Sequence, residues 1–231
     1  MIIVENGDRR RRELVTAIID LADALDCPHP VRFAVDGPDA AGKTTLADEL
    51  AAGLRARERH VIRASIDGFH RPRTERYRQG PESPLGYYQD SFDYQLLRNE
   101  LLDPLGDGGD RLYRTRVFDY RADQPAPSRR LKAPTDAILV FDGVFLLRPE
   151  LADVWEFRAF VSIDFDEIVR RARIRDPELF GSPDQAEQRY RTRYLPAQQH
   201  YLETVCPARV ADIVVDNNEP AHPRLHARVR R

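Results

Sequence analysis

The 231 residues suffice for one substantial core and slightly exceed a usual single domain, so one domain spanning 1–231 with a lid or small subdomain is expected. At 42% hydrophobic and 32% charged the composition is that of a soluble globular protein, and a formal net charge of −2 without a long basic block argues against nucleic acid as a partner. Two isolated cysteines, Cys27 and Cys206, the lack of a signal-peptide pattern and the lack of any apolar run near the roughly 20 residues of a membrane span point to the cytoplasm and away from disulfides, zinc and membranes.

Arg9–Arg12 precede Leu14, Ile18, Leu21, Ala22 and Leu25, whose spacing predicts a helix with a solvated basic end. Val31–Val35 reads as a buried strand, Thr45–Leu54 as a helix, and His60–Ile66 as a second strand. The interval 67–134 then breaks the alternation. It is rich in Tyr, Pro, Gly and Arg, with a helix over Tyr94–Leu102 and a strand over Leu112–Tyr120 that pairs with Ser128–Lys132. Ala137–Phe141, Phe157–Ile163 and Ile213–Val215 are further strands. A helical region over 166–206 runs from Asp166 to Asp176, is interrupted by Pro177 and Gly181-Ser182-Pro183, and resumes from Asp184 to Val205, which suits a hinged lid. His222–Arg231 is basic and poor in apolar residues, and is expected to fray.

Between the first strand and the following helix stands Gly37-Pro38-Asp39-Ala40-Ala41-Gly42-Lys43-Thr44, the pattern G-x-x-x-x-G-K-T in the setting it requires. Such a loop turns backbone N–H groups onto phosphate oxygens at a helix N-terminus. The expected ATP cradle is Gly37, Asp39, Ala40, Ala41, Gly42, Lys43, Thr44 and Thr45. Lys43 would reach the β and γ phosphates, and the Thr44 hydroxyl would hold Mg²⁺. Of 36 basic residues only Lys43 and Lys132 are lysines. One of them fills the position where a compact ammonium suits phosphate better than a planar guanidinium.

Phosphoryl transfer also needs a carboxylate for the metal, a group to take or orient the acceptor proton, and positive charge for the migrating phosphoryl. Asp142, at the end of Ile138–Phe141 and before Gly143, is the expected second metal residue. Asp67, just past the second strand, points into the crevice at the C-terminal edge of the sheet and is the expected catalytic carboxylate. Arg171 and Arg175, four apart on one helix face, are expected to close over the phosphates. Arg189 and Arg193 repeat that spacing; with His70, Tyr87, Asp90 and Phe118 they make up the expected acceptor-binding set.

Taken in order, GPDAAGKTT (37–45), SIDGFHRP (65–72), QDSFDY (89–94), RVFDYR (116–121), VFDGVFLL (140–147), FVSIDFDEIVRRARIRD (160–176) and ADIVVDN (211–217) resemble the P-loop kinase superfamily of uridine kinase, phosphoribulokinase and the bacterial type of pantothenate kinase. The match is best to uridine-kinase-like proteins. The resemblance implies an α/β fold with a doubly wound parallel sheet of about five strands, an acceptor-site insertion and a helical lid. It implies an ATP- and Mg²⁺-dependent small-molecule kinase, with Asp67 as catalytic base and Asp142 as the acidic residue after the fourth strand. A homo-oligomer stays open.

This sequence departs from uridine kinases at three places. Tyr87 stands where an Asp for the ribose hydroxyls is expected, Asp123 stands where a His is expected, and Glu178–Pro183 replaces an Arg-rich lid loop. If a ribose diol is bound, Asp90 is the nearest substitute carboxylate. The G-x-x-x-D-S-F-D run over 86–93 resembles pantothenate kinase instead, which keeps pantothenate and sugars open as acceptors. A regulatory NTPase is the rival reading; the guanine motif N-K-x-D of GTPases is absent from the sequence.

Overall fold

The computed structural model describes residues 3–227. A long helix, α1 (Ile3–Asp23), precedes β1 (Val31–Asp36), α2 (Lys43–Ala56) and β2 (Val61–Ser65). The 67–134 segment follows with α3 (Arg73–Arg76), α4 (Pro84–Asp90), α5 (Tyr94–Leu97), and four two-residue strands: β3 (Leu112–Tyr113), β4 (Phe118–Asp119), β5 (Gln124–Pro125) and β6 (Leu131–Lys132). The chain then returns to the sheet through β7 (Ile138–Gly143) and β8 (Phe157–Ser162). It continues with α6 (Phe165–Arg175), α7 (Pro177–Phe180), α8 (Pro183–Arg189), α9 (Leu195–Val205), α10 (Pro207–Val210), β9 (Ile213–Asp216) and β10 (Arg224–Ala227).

The main sheet has the order β10-β9-β8-β1-β7-β2, parallel throughout except for β10. Every residue of β1 and β7 is buried, including the charged Arg32, Asp36 and Asp142, as strands covered on both faces must be, whereas the edge strand β2 alternates. Side chains of one parity, including Phe33, Val35, Val140 and Val161, pack beneath α1, α2 and α6. Those of the other parity, including Ala34, Ala64, Phe141 and Phe160, pack against the 67–134 segment and α9. The fold is that of a mostly parallel α/β P-loop protein.

Three expectations change. The C-terminal stretch does not fray over 224–227: β10 pairs antiparallel with β9, and Leu225 packs on the core. Residues 228–231 lie outside the described residues. The predicted ribbon over 112–120 and 128–132 is broken into β3·β6 and β4·β5. Its intervening N–H groups turn elsewhere, Arg114 N to Glu100 O (2.8 Å) and Val117 N to Gly68 O (2.9 Å). The helix over 94–102 and the one over 184–205 each contain a π turn, Arg98–Leu102 and Tyr190–Tyr194. In the second, the wider turn lets the helix continue past Pro196, whose ring would clash with a regular preceding turn.

Candidate active site

The 37–42 loop closes on itself only with glycine at two places. At Gly37 a Cβ would lie 2.5 Å from Val161 O of β8, and Gly42 takes φ +88° just before α2. No side chain caps Gly42, so the first-turn N–H groups of α2 are left for an anion. Lys43 is buried, its Nζ donating to Pro38 O at 2.6 Å across the loop. Thr44 Oγ1 donates to Asp142 Oδ2 at 2.6 Å.

Asp142 sits in β7 with Val35 of β1 and Ser65 of β2 as its register neighbours, so the loop after β1 and the turn after β2 flank it. Arg63 Nη1 lies 2.7 Å from Asp142 Oδ1, yet that buried oxygen receives no well-directed hydrogen bond. A hydroxyl and a carboxylate with a free lone pair, beside an anion cradle, form an all-oxygen donor set that fits Mg²⁺. Among the described residues no group of three or more His, Cys, Asp or Glu side chains is placed to hold a metal ion. A metal here would therefore also draw on phosphate oxygens, as Mg²⁺ does in nucleotide sites.

The loop is braced from behind. Arg171, expected over the phosphates, instead donates to Ala40 O (3.2 Å), Asn217 O (2.6 Å) and Asn218 O (3.1 Å), with Glu167 on its Nε at 2.7 Å. Its donors are consumed by carbonyls, which makes it a clamp between the loop and the end of β9. Asn217 Nδ2 adds a bond to Ala41 O at 2.6 Å. Asp36, fully buried, accepts from Leu146 N (3.1 Å) and Tyr201 Oη (2.6 Å), and Tyr201 Oη in turn accepts from Leu147 N (3.0 Å). Burial pushes the Asp36 carboxyl up to about 6 against those bonds and the Lys43 charge. Sequence reasoning missed Asp36 and Asn217. A carboxylate closing the first strand was a readable signal for Asp36, and Asn217 closes the ADIVVDN stretch over 211–217.

Asp67 lies in the 3₁₀ turn Ile66–Phe69 after β2, its side chain 58% exposed in a crevice. Crowding by the crevice walls works to raise its pKa. A hydrogen bond and charge from His70, with Lys43 and Arg121, outweigh this and hold the carboxyl below its ordinary value. His70 Nε2 stands 3.5 Å from Asp67 Oδ1, its Nδ1 is 3.1 Å from Ser91 O, and its ring is stacked on Phe92 (4.5 Å) with Tyr120 at 4.7 Å on another side. His70 is thus fixed beside Asp67. Phe118 is buried in β4, which packs on the turn that carries Asp67.

The remaining candidates come together around α4, α8 and α9. Tyr87 Oη donates to Asp39 Oδ2 (2.8 Å), as does Gln198 Nε2 (2.6 Å), so the Asp39 side chain faces away from the anion cradle. Arg193 is buried with its guanidinium 5.0 Å from the Tyr77 ring and 5.4 Å from that of Tyr87, and donates to Gly80 O and Pro81 O. Burial, with Arg189 nearby, pulls its pKa down. Arg189 lies against Tyr194, and neither arginine forms an ion pair among the described residues. Arg175 does not share a target with Arg171: it pairs with Asp176 (2.7 Å) and donates to Tyr190 Oη (2.8 Å). Asp90, the expected substitute carboxylate, is turned to Arg78 (2.7 Å) and Gln79 (2.7 Å), one on each oxygen. An acceptor hydroxyl here would have to share Asp90 with the Arg78 ion pair and the Gln79 amide.

No family model matches the chain. It is 26% identical over 210 residues to a uridine kinase of Ligilactobacillus salivarius, covering 87% of this chain and 93% of that one. To uridine-cytidine kinase B of Dictyostelium discoideum it is 29% identical over 153 residues; this spans 64% of this chain and 59% of that longer relative. Among solved structures, a possible uridine kinase from Bacillus stearothermophilus superposes with a TM-score of 0.68 at 25% identity, over 88% of this chain and 97% of that one. A D-glycerate 3-kinase from Cryptococcus neoformans (TM-score 0.59, 14% identity, 95% and 99% covered) shares the fold.

Proposed function

The chain is a uridine-kinase-like P-loop kinase, and on that premise we propose that it transfers the γ-phosphoryl group of ATP to a primary hydroxyl of a small cytoplasmic acceptor, a nucleoside first among the candidates. One observation carries the reading: the anion-binding loop, Asp142 and Asp67 stand at the C-terminal ends of three adjacent strands, β1, β7 and β2. That is where an open parallel sheet presents its ligand crevice.

In this reading the first turn of α2 and Lys43 hold the phosphates and balance the charge that spreads over the migrating group. Asp67 orients the acceptor hydroxyl and takes its proton as the oxygen forms a bond to the γ-phosphorus and the bond to the β-phosphate oxygen breaks, releasing ADP. A carboxylate held ionised by His70 and Lys43 is ready to accept that proton. Mg²⁺, bound by Thr44 Oγ1 and Asp142, would neutralise the phosphate oxygens. Arg175 feels the Asp39 charge, and Arg171 keeps the loop in shape.

The test is a coupled ADP-release assay with nucleosides, pantothenate, ribulose phosphate and sugars. ADP release that depends on one acceptor class and is lost in Asp67→Asn supports the proposal. ADP release that is the same with and without every acceptor contradicts it and favours a regulatory NTPase.

A further inference from the structure

We propose that Asp39 and Gln198 form the hydroxyl-binding subsite of the acceptor, built for a vicinal diol such as that of a ribose. The assignment rests on the phosphotransferase reading above and deepens it. A carboxylate inside a phosphate-binding loop would repel phosphate, and this one is drawn away from the cradle by Tyr87 and Gln198, both on Oδ2. Tyr87 is the residue found where the resemblance leads one to expect a carboxylate. Its hydroxyl brings a carboxylate from the loop to that place instead.

The hydrogen-bond inventory is incomplete in an informative way. A carboxylate only accepts, so the Gln198 amide must present Nε2 to Asp39 and carry Oε1 on its other side. Gln198 is 1% exposed, and Oε1 has no partner. Asp39 Oδ1 likewise receives no hydrogen bond among the described residues. One buried acceptor without a donor, on a side chain hydrogen-bonded at 2.6 Å to a partly exposed carboxylate whose second oxygen is open, suits a ligand bearing two donors. Neighbouring hydroxyls supply them; a phosphate cannot. Burial, and then the Asp39 charge, keep the Tyr87 hydroxyl protonated, so it remains a donor to Asp39 and leaves Oδ1 for the acceptor.

The experiment measures acceptor and ATP kinetics for wild type, Asp39→Asn, Gln198→Met and Tyr87→Phe, using uridine beside 2′-deoxyuridine and 3′-deoxyuridine, and sugars beside their deoxy counterparts. Wild type should prefer the diol by tenfold or more in kcat/KM, on the order expected when a charged acceptor loses its donor. Asp39→Asn should raise the acceptor KM roughly ten- to a hundredfold and erase the preference, with the KM for ATP within about twofold. Gln198→Met and Tyr87→Phe should shift the preference in the same direction by less, and either carries the test if Asp39→Asn fails to give a cooperative thermal melt. A deoxy acceptor used as well as its parent by wild type overturns the subsite and leaves the kinase standing. So does an Asp39→Asn variant whose KM for ATP rises as much as that for the acceptor. Acceptor-independent ATP hydrolysis across the panel overturns the phosphotransferase reading itself, and the subsite with it.

Discussion

Around the 37–44 loop the working groups are backbone N–H groups, Lys43 and Thr44, held by strands that lie side by side. In the 67–134 segment they are side chains fixed one by one, Tyr87 by Asp39 from the distant loop and Asp67 by His70 three residues on. The first region is specified by a short continuous motif and by sheet register. The second is specified pair by pair. A handful of substitutions there can change the acceptor without touching the phosphate site, which is how one fold serves different acceptors.

Substitutions should therefore separate the two regions, beginning with the largest effect. Lys43→Ala should reduce turnover on the order of a thousandfold, because the ammonium acts most strongly on charge that develops in the transition state. Turnover near that of wild type in a steady-state assay would remove the loop from the mechanism. Asp67→Asn should lower kcat roughly a hundredfold or more while the dissociation constant for ATP, measured by titration calorimetry, stays within about twofold. Unchanged kcat with weakened ATP binding would move Asp67 to the nucleotide side.

The next effect is on stability. The Asp36 carboxyl is raised from 3.8 to about 6 in the folded chain, so the folded state binds that proton more tightly than the unfolded one. The associated stability is full below pH 3.8 and is lost as the pH rises through about 6. Thermal melts of wild type should fall relative to Asp36→Asn across that window, by at most about 3 kcal/mol. Parallel pH profiles would contradict it. The smallest effect separates a clamp from a lid: Arg171→Met should raise the KM for ATP about tenfold and lower the melting temperature, since hydrogen bonds from a charged donor to three carbonyls are lost. A fall in kcat alone, at constant melting temperature, would restore Arg171 to the phosphates.

How far the sequence could be read follows the same division. The five parallel strands and the loop between β1 and α2 were legible because buried strands and phosphate loops are written in contiguous residues. The antiparallel β10 was not, since His222–Arg231 has too little apolar content to signal a strand and is recruited by the open edge of β9. Arg171 and Arg175 have lid-like spacing, but spacing cannot reveal that the carbonyls of Ala40, Asn217 and Asn218 converge on one of them while Asp176 takes the other. For Asp90, the partners Arg78 and Gln79 stand 12 and 11 residues back in the chain and look like ordinary surface residues in sequence.

The most direct test of the account is the fate of the γ-phosphoryl group, followed by phosphorus NMR and mass spectrometry in a reaction of wild-type protein, ATP, Mg²⁺ and the acceptor panel. The account predicts a phosphomonoester of one acceptor class, formed one for one with ADP and absent with Asp67→Asn. ADP accompanied only by inorganic phosphate, whatever acceptor is supplied, would contradict it.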